Sequence, residues 1–397
     1  TRVGTHLEIT MTAQALATSP TQDELIQRAR NMIPDLRELA ATHANNRRIS
    51  AEVIEKMNQA GFFRVLQPKR WGGYEMDPSV FAEIQIALAE GDVATAWIYG
   101  VVGVHPFQLA LFDDRAARDV WQQNDATLIA STYMPTGRAT PAEGGFRFSG
   151  KWKFSSGCEH CQWILLGGLV GDPADGDYRT FLLPSSDFQI DDTWHAMGLK
   201  GTGSQDIVVK DVFVPDYRVH NMADAYGGES PGNKVNSAWL YKLSFPLVFG
   251  RAVTNACIGG LQAMLDAFLD YGAKRVGTTG AKTANDPDAQ LACAEALCAL
   301  DEMKATLHRN YSVMFDYAKR GEETPLALRL QYKYQSAAVA DRCIDIAAKL
   351  FRCVGGTFGR LYQDLLAARQ HVSNQSQVSG RNFGSTLLGL DNNDSQI

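Results

Sequence analysis

Gly150-Lys151-Trp152-Lys153-Phe154-Ser155-Ser156-Gly157-Cys158-Glu159-His160, with the later Gly198-Leu199-Lys200-Gly201-Thr202-Gly203-Ser204, is the most informative pair of stretches in this chain. Each sets an aromatic or apolar residue beside small hydroxyl residues and glycines. That chemistry suits a flat ring with a polar rim: apolar surface for its face, hydroxyls and bare backbone N–H groups for its edge. Neither stretch is a phosphate loop. No GxxxxGK followed by Ser or Thr occurs, and no GxGxxG runs from a strand into a helix. A cofactor held here is read by its ring, which points to flavin.

The 397 residues, 45% of them hydrophobic, are enough for a sizeable core and for two or three domains. A net charge of −6 with no basic tract argues against nucleic-acid binding. No run of eighteen apolar residues occurs, so no membrane span is expected. The N-terminus lacks a basic-then-apolar signal pattern, and the chain reads as cytoplasmic. Residues 1–10 do not read as a natural start, whereas Met11 does. Seven cysteines (158, 161, 257, 293, 298, 343 and 353) read as reduced, buried thiols of a cytoplasmic protein. Cys158-Glu159-His160-Cys161 has no second ligand pair, so no metal site is expected.

Outward from the opening stretches, three regions appear. Residues 11–125 read as a helical domain. Apolar residues recur at spacings of three and four over 23–44; Ser50 is an N-cap, Asp77-Pro78 opens a further helix, and a long apolar segment covers 94–112. Residues 126–235 read as a β-barrel or sandwich, with strands at 146–154, 163–169, 180–183 and 207–214. Residues 236–397 read as a bundle of four antiparallel helices, at 249–274, 286–320, 325–354 and around 360–371. The expected class is α+β, mostly α.

This order, with Trp71-Gly72-Gly73, the segment from Gly150 to Gly157 and Asp211-Val212-Phe213-Val214-Pro215, resembles the acyl-CoA dehydrogenase fold over nearly the whole chain. Within that superfamily the chain is most similar to the oxygenase components of two-component, reduced-flavin-dependent aromatic monooxygenases. These include the p-hydroxyphenylacetate, hydroxylated secosteroid, and indole or indole-acetate hydroxylases. Gly103-Val104-His105, Phe112, the segment Ser156 to His160, Gly201 to Ser204, and Gln363-Asp364 followed by His371 carry that likeness. The resemblance implies reduced FMN or FAD from a separate NAD(P)H-flavin reductase, O2 as co-substrate, and hydroxylation of a phenolic or indolic ring through a flavin C4a-hydroperoxide. It also implies a homotetramer.

The resemblance assigns roles to individual residues. His105 bonds the substrate hydroxyl; the alternative is a core histidine satisfied by a backbone carbonyl. His371 approaches flavin and substrate from the bundle; the alternative is a histidine favoured by a helix C-terminus. Ser156 stands near flavin N5 and Ser131 near the substrate hydroxyl; the alternatives are a turn serine and a strand-end hydroxyl. Phe154 covers the ring where many relatives carry Trp, or else belongs to the sheet core. Ser155, Trp194, Thr202 and Ser204 line the flavin. Arg275 meets its phosphate, often in a neighbouring subunit, or is a solvated helix end. Apart from the resemblance, the aromatic run Trp239, Tyr241, Phe245 and Phe249 reads as the wall of an apolar substrate pocket, with Lys242 at its rim.

Two departures bear on function. No Glu lies between Glu323 and the C-terminus, where dehydrogenases of this fold place their base, so acyl-CoA dehydrogenase or oxidase is the second reading. A flavin-free scaffold is the third. Residues 241–249 hold no Arg, which argues against a copy of the phenylacetate activity. The segment around Gly356 to Phe358 is shorter than in relatives, through a deletion or missing residues.

Overall fold

The computed structural model describes residues 19–397, apart from 228, 279, 355–357, 393, 395 and 396. The expected start at Met11 and the shortened segment up to Thr357 lie outside the described residues.

Helices lead the chain: α1 (Gln22–Asn31), α2 (Ile33–Asn46), α3 (Ala51–Gln59), α4 (Pro78–Gly91), α5 (Val93–Gly103), α6 (His105–Leu109) and α7 (Asp114–Trp121). The periodic run over 23–44 is two helices, not one. Met32 ends α1, and Pro34 sits in the first turn of α2, where its missing N–H does no harm. The apolar segment 94–112 breaks in the same way before Pro106. Ser50 and Asp77 cap α3 and α4 through their side chains, as the sequence indicates.

Seven strands follow: β1 (Ile129–Ala142), β2 (Gly145–Ser155), β3 (Trp163–Val170), β4 (Tyr178–Pro184), β5 (Gln189–Asp191), β6 (Gln205–Pro215) and β7 (Val219–Asn221). They form one sheet in the order β5-β6-β2-β1-β3-β4-β7. Most pairs are antiparallel, while β1 and β3 run parallel. β1, the central strand, was not among the strands read from the sequence; Pro135, Gly137 and Pro141 break its alternation. Its register with β3 shifts between Thr132 and Gly137.

After the short α8 (Asp224–Gly227) come α9 (Phe245–Ala252), α10 (Asn255–Lys274), α11 (Pro287–Arg320), α12 (Leu326–Val354), α13 (Gly359–Arg369) and α14 (Ser376–Leu387). α10 packs on α11, α12 and α13 and also on α4, so the two helical regions share one core. The span Phe245–Lys274 is long and apolar enough to cross a membrane by composition, but 78% of its apolar window is buried inside the fold. It is a core element.

Candidate active site

The two opening stretches meet in space. Gly157 N–H donates to Thr202 O at 2.9 Å. Ser156 Oγ lies 2.7 Å from Ser204 Oγ, which lies 2.7 Å from Thr202 Oγ1. All three side chains are buried. Thr202 Oγ1 is also 2.8 Å from Leu199 O, a carbonyl that can only accept. That bond sets the direction of the row. Thr202 gives its hydrogen to Leu199, Ser204 gives its own to Thr202, and Ser156 gives its own to Ser204. Trp97 Nε1–H donates to Ser156 Oγ at 3.1 Å. Ser156 therefore has one lone pair left and no hydrogen.

Beside this row stands Phe154, 59% exposed. Lys153 and Phe154 together face a single residue of β6, because the register shifts between Trp152↔Ile207 and Ser155↔Gln205. This bulge holds Phe154 at φ +67°, a conformation unfavourable for a side-chain-bearing residue. Residues held on strained backbone cluster at active sites and ligand clamps. Trp194 stands edge-on to it, with ring centres 6.1 Å apart, and donates from Nε1 to Leu199 O. Ser155 points elsewhere: its hydroxyl donates to Ser131 O at 3.2 Å and ties β2 to β1.

The loop 198–204 is fixed from outside. Leu199 N–H donates to Asp364 Oδ1 of α13 at 2.7 Å. A Cβ at Gly198 would lie 2.0 Å from Gln363 O, so only glycine allows this approach. Asp364 is buried, and desolvation pushes its carboxyl up to about 6. Arg360 bridges it to Asp92, which in turn meets His43 at 3.2 Å and Thr95 Oγ1 at 2.8 Å.

The two proposed histidines share one aromatic cluster. His105 Nδ1 is 2.6 Å from Ile129 O and so carries the hydrogen. Its Nε2 is then a bare lone pair, buried and without a partner. Burial lowers the pKa to about 4, so the ring is neutral at pH 7. The ring abuts Tyr133 edge-on at 6.1 Å; Tyr133 meets Phe249 at 5.1 Å; and Phe249 meets His371 at 6.1 Å. His371 closes the circuit to Trp97 at 5.8 Å. Its Nδ1 accepts from Ser373 N–H at 3.2 Å, so the hydrogen is on Nε2. Desolvation lowers its pKa to about 4 as well. One imidazole thus offers an acceptor and the other a donor.

Tyr133 donates its hydroxyl hydrogen to Gln108. Trp97, Tyr133, Gln108 and the loop-holding role of Asp364 were not drawn from the sequence as site features. Their signal is weak there: Trp97 and Gln108 sit in a uniformly apolar helical run.

Other expected residues are not brought to this cluster. Trp239 packs on Phe315 of α11 with centres 4.1 Å apart, under Lys319. Tyr241 is buried and donates to Leu66 O at 3.2 Å; it lies behind Phe107 and Phe245 as a second layer. Lys242 is exposed. Arg275 donates to Cys353 O at 2.9 Å. It lies just past the end of α10, about 20 Å along the helix from Gly260, which packs beside Val93 and Leu365.

The residues present fit a flavin ring: an uncovered aromatic face, a hydroxyl with one spare lone pair, and a tryptophan at the edge. Comparison with known proteins agrees. Residues 19–112 match the acyl-CoA dehydrogenase N-terminal domain and residues 252–375 the C-terminal domain. The oxygenase subunit HsaA of a flavin-dependent monooxygenase from Rhodococcus jostii is 34% identical over 382 residues, 94% of this chain and 100% of that protein. The oxygenase component of an FADH2-dependent resorcinol hydroxylase from Rhizobium is 30% identical, over 87% of this chain and 89% of its own. The crystal structure of 3-HSA hydroxylase from Rhodococcus sp. RHA1 superimposes with a TM-score of 0.91 at 34% identity, covering 95% of this chain and 100% of that one. The chain has the acyl-CoA dehydrogenase fold and belongs to the oxygenase components of the two-component, flavin-dependent aromatic monooxygenases.

Proposed function

We propose that this oxygenase hydroxylates a phenolic or indolic ring held between His105 and His371. The observation that carries this reading is the unpartnered Nε2 lone pair of His105, buried within an aromatic cluster. A phenol O–H or indole N–H is the complement of such an acceptor. With its pKa near 4, the imidazole does not take a phenol proton outright. A phenol of pKa near 10 lies about six units higher, on the order of 8 kcal/mol uphill. His105 instead orients the hydroxyl, shares its hydrogen, and raises electron density on the ring.

Reduced flavin, bound and exposed to O2, supplies the activated oxygen that reaches the arene. The protein does the rest. Phe154 and Trp194 present the apolar surface for the ring system. Ser156 presents only a lone pair, which suits the N–H at position N5 of a reduced flavin and repels the bare nitrogen of an oxidised one. His371 Nε2–H is a neutral donor on the substrate side, and Phe249 and Tyr133 exclude water. Gln108 fixes Tyr133, and Ser131 is assigned to the substrate hydroxyl.

Arg275, remote within one chain, is assigned to the flavin phosphate of a neighbouring copy in a homotetramer. Trp239 and Tyr241 are assigned to the wall behind the substrate pocket. We place the enzyme in the cytoplasm beside an NAD(P)H-dependent reductase that makes FMNH2 or FADH2. Supplying chemically reduced flavin, O2, and matched phenols and methyl phenyl ethers tests the reading. Free phenols are converted and the ethers are not; equal conversion of both would remove the role of His105.

A further inference from the structure

Arg251 of α9 is 4% exposed, and both terminal guanidinium nitrogens are buried without a hydrogen-bond partner. It lies two positions beyond Phe249, on the opposite side of the helix from the substrate cluster. There it borders a small cavity of ≈ 10 Å³ walled by Leu247, Leu307, Asn310, Tyr311, Met314 and Tyr332. The Tyr311 hydroxyl is buried and also lacks a partner. Among the described residues no carboxylate is paired with Arg251. Its ionisable neighbours are Tyr311 and a second cation, Arg309, whose guanidinium bonds the side-chain oxygens of Asn310 and Gln335; the carboxylate of Asp77 acts on Tyr311.

A buried cation without a counter-charge is costly, by several kcal/mol even after relaxation. Burial lowers the Arg251 pKa only to about 10, so the charge remains at pH 7. Tyr311 cannot supply the missing anion, since burial raises its pKa as well. Water would satisfy the hydrogen bonds but not the charge. The cavity has about the room of one water-sized body.

We propose that the bundle carries a structural site for one small inorganic anion of halide size, bound by the Arg251 guanidinium and the Tyr311 hydroxyl. The ion neutralises the cation and locks α9 to α11, on the side of α9 away from Phe245 and Phe249.

Crystals of the full chain grown with bromide in place of chloride, and measured at the bromine absorption edge, test it. An anomalous peak within hydrogen-bonding reach of Arg251 and Tyr311 is expected. In solution the folding equilibrium of the wild type should grow tenfold per tenfold rise in bromide above its Kd, at constant ionic strength. Arg251→Met should abolish that dependence, and Tyr311→Phe, which keeps the packing, should weaken it. Should Arg251→Met not fold, the bromide peak and Tyr311→Phe decide. Ordered water alone in the cavity, a carboxylate from another copy in its place, or an unchanged halide dependence in the variants would overturn the site.

Discussion

Leu199 donates its amide hydrogen to Asp364 at 2.7 Å, across 165 residues of sequence. This bond holds Leu199 at φ +51° and thereby aims the carbonyl that terminates the hydroxyl row from Ser156. The geometry of this row is therefore set from the bundle, by a carboxylate outside the row itself.

Asp364→Ala is expected to free the loop 198–204 and weaken reduced-flavin affinity about tenfold, the value of one hydrogen bond to a charged group. Asp364→Asn keeps the acceptor and should retain near-normal affinity. The pH dependence has a definite sign. The folded pKa, about 6, is above the ordinary carboxyl value, so the stability from this group is present below about pH 4 and lost as pH rises through 6. Asp364→Asn should therefore gain about 1–3 kcal/mol over wild type at pH 8 and nothing at pH 4. Urea titrations at the two pH values check this.

Row polarity predicts selection of the redox state. Thr202→Val removes the acceptor of Ser204's hydrogen and lets Ser204 turn around, which leaves Ser156's hydrogen free to face the ring. The preference for reduced over oxidised flavin should then shrink about tenfold, one hydrogen bond gained on the oxidised side. Fluorescence titration with both redox forms under anaerobic conditions measures it. An unchanged ratio would show that the row does not choose.

Phe154→Gly separates a platform from a core residue. Removing a core phenylalanine costs about 3–5 kcal/mol. Here the ring is 59% exposed and the backbone is strained, so the loss should stay below about 0.5 kcal/mol. Reduced-flavin affinity should nevertheless fall about tenfold through lost ring contact.

The fold was legible because helix and strand periods differ. Breaks were less visible: Met32 and Val104 end helices inside apolar runs, and only the prolines two residues later hint at it. Strand β1 was obscured by Pro135, Gly137 and Pro141. Family likeness singled out His105, Ser156, Thr202, Ser204 and His371, which the structure links through Trp97, Tyr133 and Phe249. Which nitrogen of each histidine carries hydrogen could not be read, because it depends on the Ile129 carbonyl and the Ser373 amide. That Trp239 packs on Phe315 and Tyr241 bonds the Leu66 carbonyl could not be read, because those partners come from distant segments.

Acid should destabilise the fold through three desolvated histidines. His105, His220 and His371 have pKa values pushed down to about 4 by burial. Below about pH 6.5 the unfolded chain takes protons that the folded one refuses, so stability falls as pH drops toward 4. Each should contribute about 2 kcal/mol of loss between pH 7 and 5. His371→Asn should remove about that much of the difference, as read by urea titration at both pH values.

The central claim, that His105 directs oxygen from bound reduced flavin onto the arene, is tested most directly by product partitioning. Wild type and His105→Ala are each loaded with anaerobically reduced flavin and a phenol that the wild type converts, then mixed with O2. Hydroxylated product and hydrogen peroxide are counted per flavin. The account predicts mostly hydroxylated product from wild type. The variant should bind reduced flavin within about twofold of wild type, yet hydroxylate about a hundredfold more slowly and release most of the oxygen as peroxide. Equal yields of hydroxylated product from the two proteins would contradict it.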